Sequence, residues 1–213
     1  MIVVIGGIKG GSGKTTIATN LTVMRSIKKK VLLVDADEQK SASSWSQQRE
    51  FQGTKTPWTT VQLSGTAVRN QILKMSSDYD DIIVDVGGRD TTSQRSALTI
   101  ADIFLIPFQP RSLDIWTLAS VVNLISEVRS INEKIQSFAF INRGDISGND
   151  NVEAIEILRE CPEISCIPYI ICQRKAFANA ATNGLGITEG KVQDKKAISE
   201  IKNIYEFIYQ NDS

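Results

Sequence analysis

The chain has 213 residues, 24 Lys+Arg against 24 Asp+Glu, and no histidine. Without histidine there is no Ser-His-Asp or Cys-His catalytic pair, no HExxH zinc site and no imidazole acid–base chemistry. Zero formal net charge excludes a protein that coats nucleic acid by bulk charge, although a local basic patch stays open.

The length suits one globular domain over residues 1–213. Its apolar stretches fall far short of the roughly 20 residues that a membrane span needs. Met1-Ile2-Val3-Val4-Ile5 has no preceding basic region and is cut off by Lys9, so it is too short for a signal peptide. Cys161, Cys166 and Cys172 are odd in number and read as free thiols in a reducing cytosol.

Short β-branched runs alternate with helical patterns. The runs are Ile2–Ile5, Val31–Val34, Thr60–Leu63, Ile82–Val86, Ile103–Ile106, Phe138–Ile141 and Ser165–Ile167. Continuous apolar strands imply burial on both faces, hence an α/β, doubly wound, mainly parallel β-sheet flanked by helices. Ligands in such sheets sit beyond the carboxyl ends of the strands.

The first strand runs into Ile8-Lys9-Gly10-Gly11-Ser12-Gly13-Lys14-Thr15-Thr16, which opens a helical pattern carried by Ile17, Leu21, Met24 and Ile27. Glycines let backbone N–H groups turn toward an anion, and a helix N-terminus adds partial positive charge. Lys14 can reach the β- and γ-phosphates of a nucleotide, and the Thr15 hydroxyl can ligate Mg²⁺. The ordinary phosphate-loop pattern needs Gly at position 8, where this chain has Ile. What stands here is xKGGxxK[ST], with a second lysine at Lys9.

The second strand ends in Asp35-Ala36-Asp37-Glu38-Gln39, and the fourth in Asp85-Val86-Gly87-Gly88. Carboxylates at buried strand ends beside a phosphate loop point to a cation and water. Arg89 and Asp90 are expected to form a local ion pair. The fifth strand closes at Pro107-Phe108-Gln109-Pro110, with Ser112 as N-cap and Asp114 in the first turn of a long helix carrying Leu113, Trp116, Val121, Leu124, Ile125 and Val128. Asn142-Arg143 at the sixth strand end either reads a base or is a solvated turn. Ile167-Pro168 is expected just after the last strand. The final helix, Lys195–Tyr209, is amphipathic, and its apolar face is expected to dock on the sheet.

These motifs resemble the deviant Walker A ATPases, the family of ParA, Soj and MinD. The Gly87-Gly88 pair is similar to the short, ParF-like plasmid members. The resemblance implies a P-loop fold that binds ATP and Mg²⁺. In it Gly10, Gly11, Ser12, Gly13, Lys14, Thr15 and Thr16 hold the phosphates, with Gly87 at the γ-phosphate. Thr15, Asp35 and Asp85 serve the metal. Lys9 is the signature lysine reaching across an ATP-sandwich homodimer, and Asp37 orients the attacking water. Asn142, Arg143 and Pro168 line the base. The family's D-x-D-P-Q proline is Glu38 here.

Having neither histidine nor another base that titrates near neutrality, such a site is expected to hydrolyse ATP slowly, as a switch does. By resemblance, a ParB-like or other adaptor protein stimulates it.

The zero net charge hides an asymmetry, +4 in residues 1–100 and −4 in 101–213. Segment 145–163 carries −5, whereas 174–202 carries +3. Arg25, Lys28, Lys29 and Lys30 form another basic cluster. Partition members of the family bind DNA non-specifically through scattered C-terminal basic residues, which makes Arg174, Lys175, Lys195 and Lys196 the candidates here.

The expected function is thus plasmid, chromosome or other cargo positioning in the cytoplasm, nucleoid-associated when ATP is bound. No N-terminal helix-turn-helix domain and no stable membrane association are expected. The alternatives are a MinD-like membrane-associated ATPase, or a biosynthetic or metal-carrier relative.

Overall fold

All seven β-branched runs form strands, and every pairing between them is parallel. The computed structural model describes residues 1–112, 115–147 and 149–210. The strands are β1 (Ile2–Ile5), β2 (Val31–Ala36), β3 (Thr59–Gln62), β4 (Asp81–Val86), β5 (Ile103–Phe108), β6 (Gln136–Gly144) and β7 (Ser165–Cys172). They lie in one sheet in the order β3-β2-β4-β1-β5-β6-β7.

Among the described residues, six α-helices lie between the strands, α1 (Lys14–Arg25), α2 (Ser41–Phe51), α3 (Ala67–Met75), α4 (Thr92–Leu98), α5 (Ile115–Arg129) and α6 (Asp150–Arg159), and α7 (Lys175–Thr182) and α8 (Lys195–Tyr209) follow the last one. Because strand side chains alternate, β1 sends Val4 to one core and Val3 and Ile5 to the other. The first core, with Phe104 and Ile141, is closed by Val68 and Ile72 of α3, Leu124 and Ile125 of α5, and Leu158 of α6. The second, with Leu33 and Phe140, is closed by Ile17 and Leu21 of α1, Trp45 of α2, and Ile201 and Ile204 of α8. The expected docking of α8 on the sheet is therefore observed. Among the described residues no helix is long and apolar enough to cross a membrane.

Several local expectations change. Helix α1 stops at Arg25, so Ile27 is 75% exposed and is not on its buried face. Arg25 leaves the basic cluster: it is buried, its Nε lies 2.6 Å from Asp81 Oδ2, and its guanidinium sits over the Tyr209 ring. Asp90 pairs with Arg95 rather than with Arg89. Ser112 ends a short 3₁₀ turn, Pro110–Ser112, while Leu113 and Asp114 lie outside the described residues. Ile167 and Pro168 are not beyond the last strand but inside it. The β6–β7 register shifts between Ala139 and Ile141, and this irregularity accommodates a proline within an edge strand.

Candidate functional site

Three parallel strands, β2, β4 and β1, end side by side at one edge, which brings their carboxyl-end loops together. The glycine loop after β1 turns sharply, with φ of 77° at Gly11 and 88° at Gly13, left-handed values that favour glycine. Gly13 is also the N-cap of α1, so the helix N-terminus opens directly onto the loop. The Lys14 side chain is buried and folds back, its Nζ donating to Lys9 O at 2.9 Å. Burial lowers its pKa, while the nearby charges of Asp85 and Asp37 act in the opposite direction.

Asp85 is fully buried at the end of β4, and neither carboxylate oxygen accepts a well-formed hydrogen bond. Burial raises its pKa to about 7; the adjacent Thr15 hydroxyl and Lys14 work against that, and Asp35 and Asp37 add to it. A buried, orphaned carboxylate is costly unless a cation answers it. Together with the Thr15 hydroxyl it makes an all-oxygen donor pair. That suits Mg²⁺, which keeps several waters and takes only one or two protein oxygens beside phosphate. The residues therefore fit the metal, which Thr15 and Asp85 would hold.

Asp35 is the direct cross-strand neighbour of Asp85. Its Oδ2 accepts the Ser43 N–H at 2.7 Å and its Oδ1 the Asp37 N–H at 3.3 Å. It thus ties the turn after β2 to the first turn of α2, a positioning role that the sequence reading missed. Asp37 is half-buried, and its Oδ1 accepts the Gln39 N–H. The same oxygen would lie 3.2 Å from a Cβ built on Gly87, so Asp37 overhangs the Gly87 backbone. The need for glycine at 88 is spatial: a Cβ there would sit 2.5 Å from Gly10 Cα and 2.6 Å from Gly10 N. The loop after β4 abuts the phosphate loop at that point.

On the other side, a cavity of about 780 Å³ opens from Gly13 and Thr16 past Asn142 and Arg143 to Gln173, Lys175 and Phe177. It has the size and mixed lining of a ligand pocket. Asn142 is buried, and its Nδ2 donates to Ser12 O at 2.6 Å. Arg143 is exposed, and its guanidinium donates to Gly11 O at 2.9 Å. Pro168 is exposed and is not part of the cavity wall; the segment after β7 lines it instead.

Gln94 and Gln109 were not singled out as site residues. Gln94 Oε1 accepts the Gly7 N–H at 2.9 Å, and Gln109 Nε2 donates to Gly11 O at 2.6 Å. The only signal for Gln109 was its place at a strand end. Gln94 had none.

The candidate DNA residues separate. Arg174 is neutralised by Glu200, with both guanidinium arms on the carboxylate. Lys175 lines the cavity. Lys195 and Lys196 are exposed in the first turn of α8, behind its N-cap Asp194.

Residues 3–187 match the family described as the CobQ/CobB/MinD/ParA nucleotide binding domain. The chain is 25% identical over 206 residues to the maintenance of carboxysome distribution protein A of Halothiobacillus neapolitanus, covering 94% of this chain and 92% of that one. It is 31% identical over 136 residues to a ParA protein of Rhizobium radiobacter, covering 63% and 60%. The fold superposes on apo McdA of Cyanothece with a TM-score of 0.80 at 17% identity, over 98% and 99% of the two chains.

Proposed function

The chain belongs to the CobQ/CobB/MinD/ParA nucleotide-binding family, and on that premise we propose that it is an ATP-driven positioning switch of ParA type. ATP and Mg²⁺ occupy the glycine-loop site, two copies close over the nucleotide, and the ATP-bound dimer holds non-specific DNA. An adaptor protein triggers slow hydrolysis and release. The cargo is a plasmid, a chromosome or a protein compartment such as the carboxysome in the name of the Halothiobacillus relative.

One observation carries the reading. Asp85 is buried with both oxygens unanswered, beside Lys14 and Thr15, where a loop of N–H groups meets a helix N-terminus. Anion and cation are wanted at the same place, which describes a metal-bound polyphosphate. Mg²⁺ there supplies charge neutralisation of the phosphates. Lys14 exchanges its bond to Lys9 O for phosphate oxygens. Asp37, held by the Gln39 N–H over Gly87, aligns the attacking water, and with no histidine in the chain to take the proton turnover is slow. Lys9 is exposed on the loop rim, accessible to a second copy.

The test compares wild type with Lys14→Ala and Asp37→Ala, using DNA retention and size-exclusion with and without ATP and Mg²⁺. Wild type should dimerise and bind DNA only with ATP. Lys14→Ala should do neither, and Asp37→Ala should stay on DNA without release. Equal DNA binding by all three, with or without ATP, would sink the proposal.

A further inference from the structure

The glycine loop is gripped from outside by three side chains at the carboxyl ends of two other strands. Gly11 O accepts from both Gln109 Nε2, at 2.6 Å, and the Arg143 guanidinium, at 2.9 Å; Ser12 O accepts from Asn142 Nδ2 at 2.6 Å. Gln109 follows β5, and Asn142 and Arg143 lie at the carboxyl end of β6. We infer that Gln109 and Arg143, with Asn142 behind them, are positioning residues that hold the loop's carbonyls outward and thereby aim its N–H groups at a polyphosphate. The inference rests on the nucleotide reading above and assigns a role that the reading does not need.

The argument is one of peptide geometry. In a trans peptide the C=O and the following N–H point in opposite directions across one rigid plane. Fixing Gly11 O toward Gln109 and Arg143 therefore turns the Ser12 N–H the other way. Fixing Ser12 O toward Asn142 does the same for the Gly13 N–H. Convergent N–H dipoles repel one another when no anion is present, and the glycines at 11 and 13 allow many other backbone states. External donors on the carbonyl side narrow that choice before the ligand arrives, so less ordering is left to binding.

The clamp also has a local cost that marks it as specified. Arg143 has φ of 55°, left-handed for a non-glycine residue. Such a conformation is strained for a side chain with a Cβ and persists where the surroundings over-determine it. Asn142 is equally constrained: its Nδ2 would lie 2.3 Å from a Cβ on Gly13, so glycine there lets the amide approach the loop. The amide orientations follow from the bonds, since only the NH₂ end can donate to a carbonyl.

Substitution of Gln109 separates this role from contact with a base. Gln109→Glu keeps the shape but faces a carbonyl with an acceptor. At pH 8 it should weaken both ADP and inorganic pyrophosphate about tenfold, measured by displacement of a fluorescent ADP, from a lost hydrogen bond and an added repulsion. As the pH falls toward 5 the glutamate gains a proton and can donate again, so the ratio to wild type should shrink. Arg143→Met, at an exposed site, should weaken both ligands in the same proportion without the pH recovery, and serves alone if Gln109→Glu unfolds.

Weakened ADP with unchanged pyrophosphate would make these base contacts and overturn the clamp. So would wild-type affinity for both ligands in both variants. Wild type that binds neither ligand would overturn the nucleotide reading instead.

Discussion

Burial lifts Asp85 from an ordinary carboxylate pKa of 3.8 to about 7, so the ligand-free protein keeps a proton there that the unfolded chain gives up near pH 4. Between those values the native state binds more protons than the unfolded state. Stability therefore falls as pH rises from about 4 to about 7 and levels off above. Asp85→Asn removes that slope. In a chelating buffer without nucleotide, denaturant unfolding should find it close to wild type near pH 4 and more stable at pH 8, by up to on the order of 3 kcal/mol. Parallel pH profiles for the two proteins would show that Asp85 is not the group responsible. The sharp glycine turn between β1 and α1 was legible from spacing, because few residues besides glycine take the left-handed φ found at Gly11 and Gly13. Gln109 and the capping work of Asp35 were not, because each partner lies far along the chain or in the backbone, where no spacing records it.

At the level of elements, the two helices that start at the site converge on one short loop. From α1, Asn20 donates to Thr16 O and accepts the Ile187 N–H at 2.7 Å. From α2, Arg49 is buried, forks onto both oxygens of Glu189 at 2.7 Å, and donates to Lys55 O and Gly184 O. Its guanidinium also covers the Trp58 ring, which stacks on Trp45. Removing one partner of such a pair leaves an uncompensated charge and several open carbonyls. Arg49→Met should therefore lose roughly 3 kcal/mol, or about 6–12 °C in melting temperature followed by circular dichroism. A change under 2 °C would contradict the account.

Strands were the legible part of the architecture, because apolar β-branched runs buried on both faces have few other readings. Helix α2 was not. Its sequence SASSWSQQREF offers only Ala42 and Trp45 as buried apolar residues, and its anchor is an arginine. Strand β6 runs past its expected end through Asn142 and Arg143, which are polar and line the cavity, whereas β7 runs past its own because the shifted register carries it beyond Pro168 to Cys172.

Over the whole molecule, structure redistributes the charge that the sequence displays. Arg174 and Arg25 carry formal charges but face Glu200 and Asp81. Lys195 and Lys196 remain exposed. If they meet DNA phosphates, Lys195→Ala with Lys196→Ala should flatten the dependence of log affinity on log salt by about 2 per subunit and weaken binding alike on any sequence. Arg174→Ala should instead lower the melting temperature and leave the salt slope alone. Unchanged salt slopes in the lysine pair would move the DNA surface elsewhere.

The bulged end of the sheet has a bearing on assembly. Among the described residues, strand β7 has a neighbour only on its β6 side, so its other flank would offer a hydrogen-bonding rail to any passing strand. Pro168 supplies no N–H to that rail, the register shift bends it, and Glu200 takes the Cys172 N–H at 3.1 Å. Growth by strand addition is thus blunted at this margin.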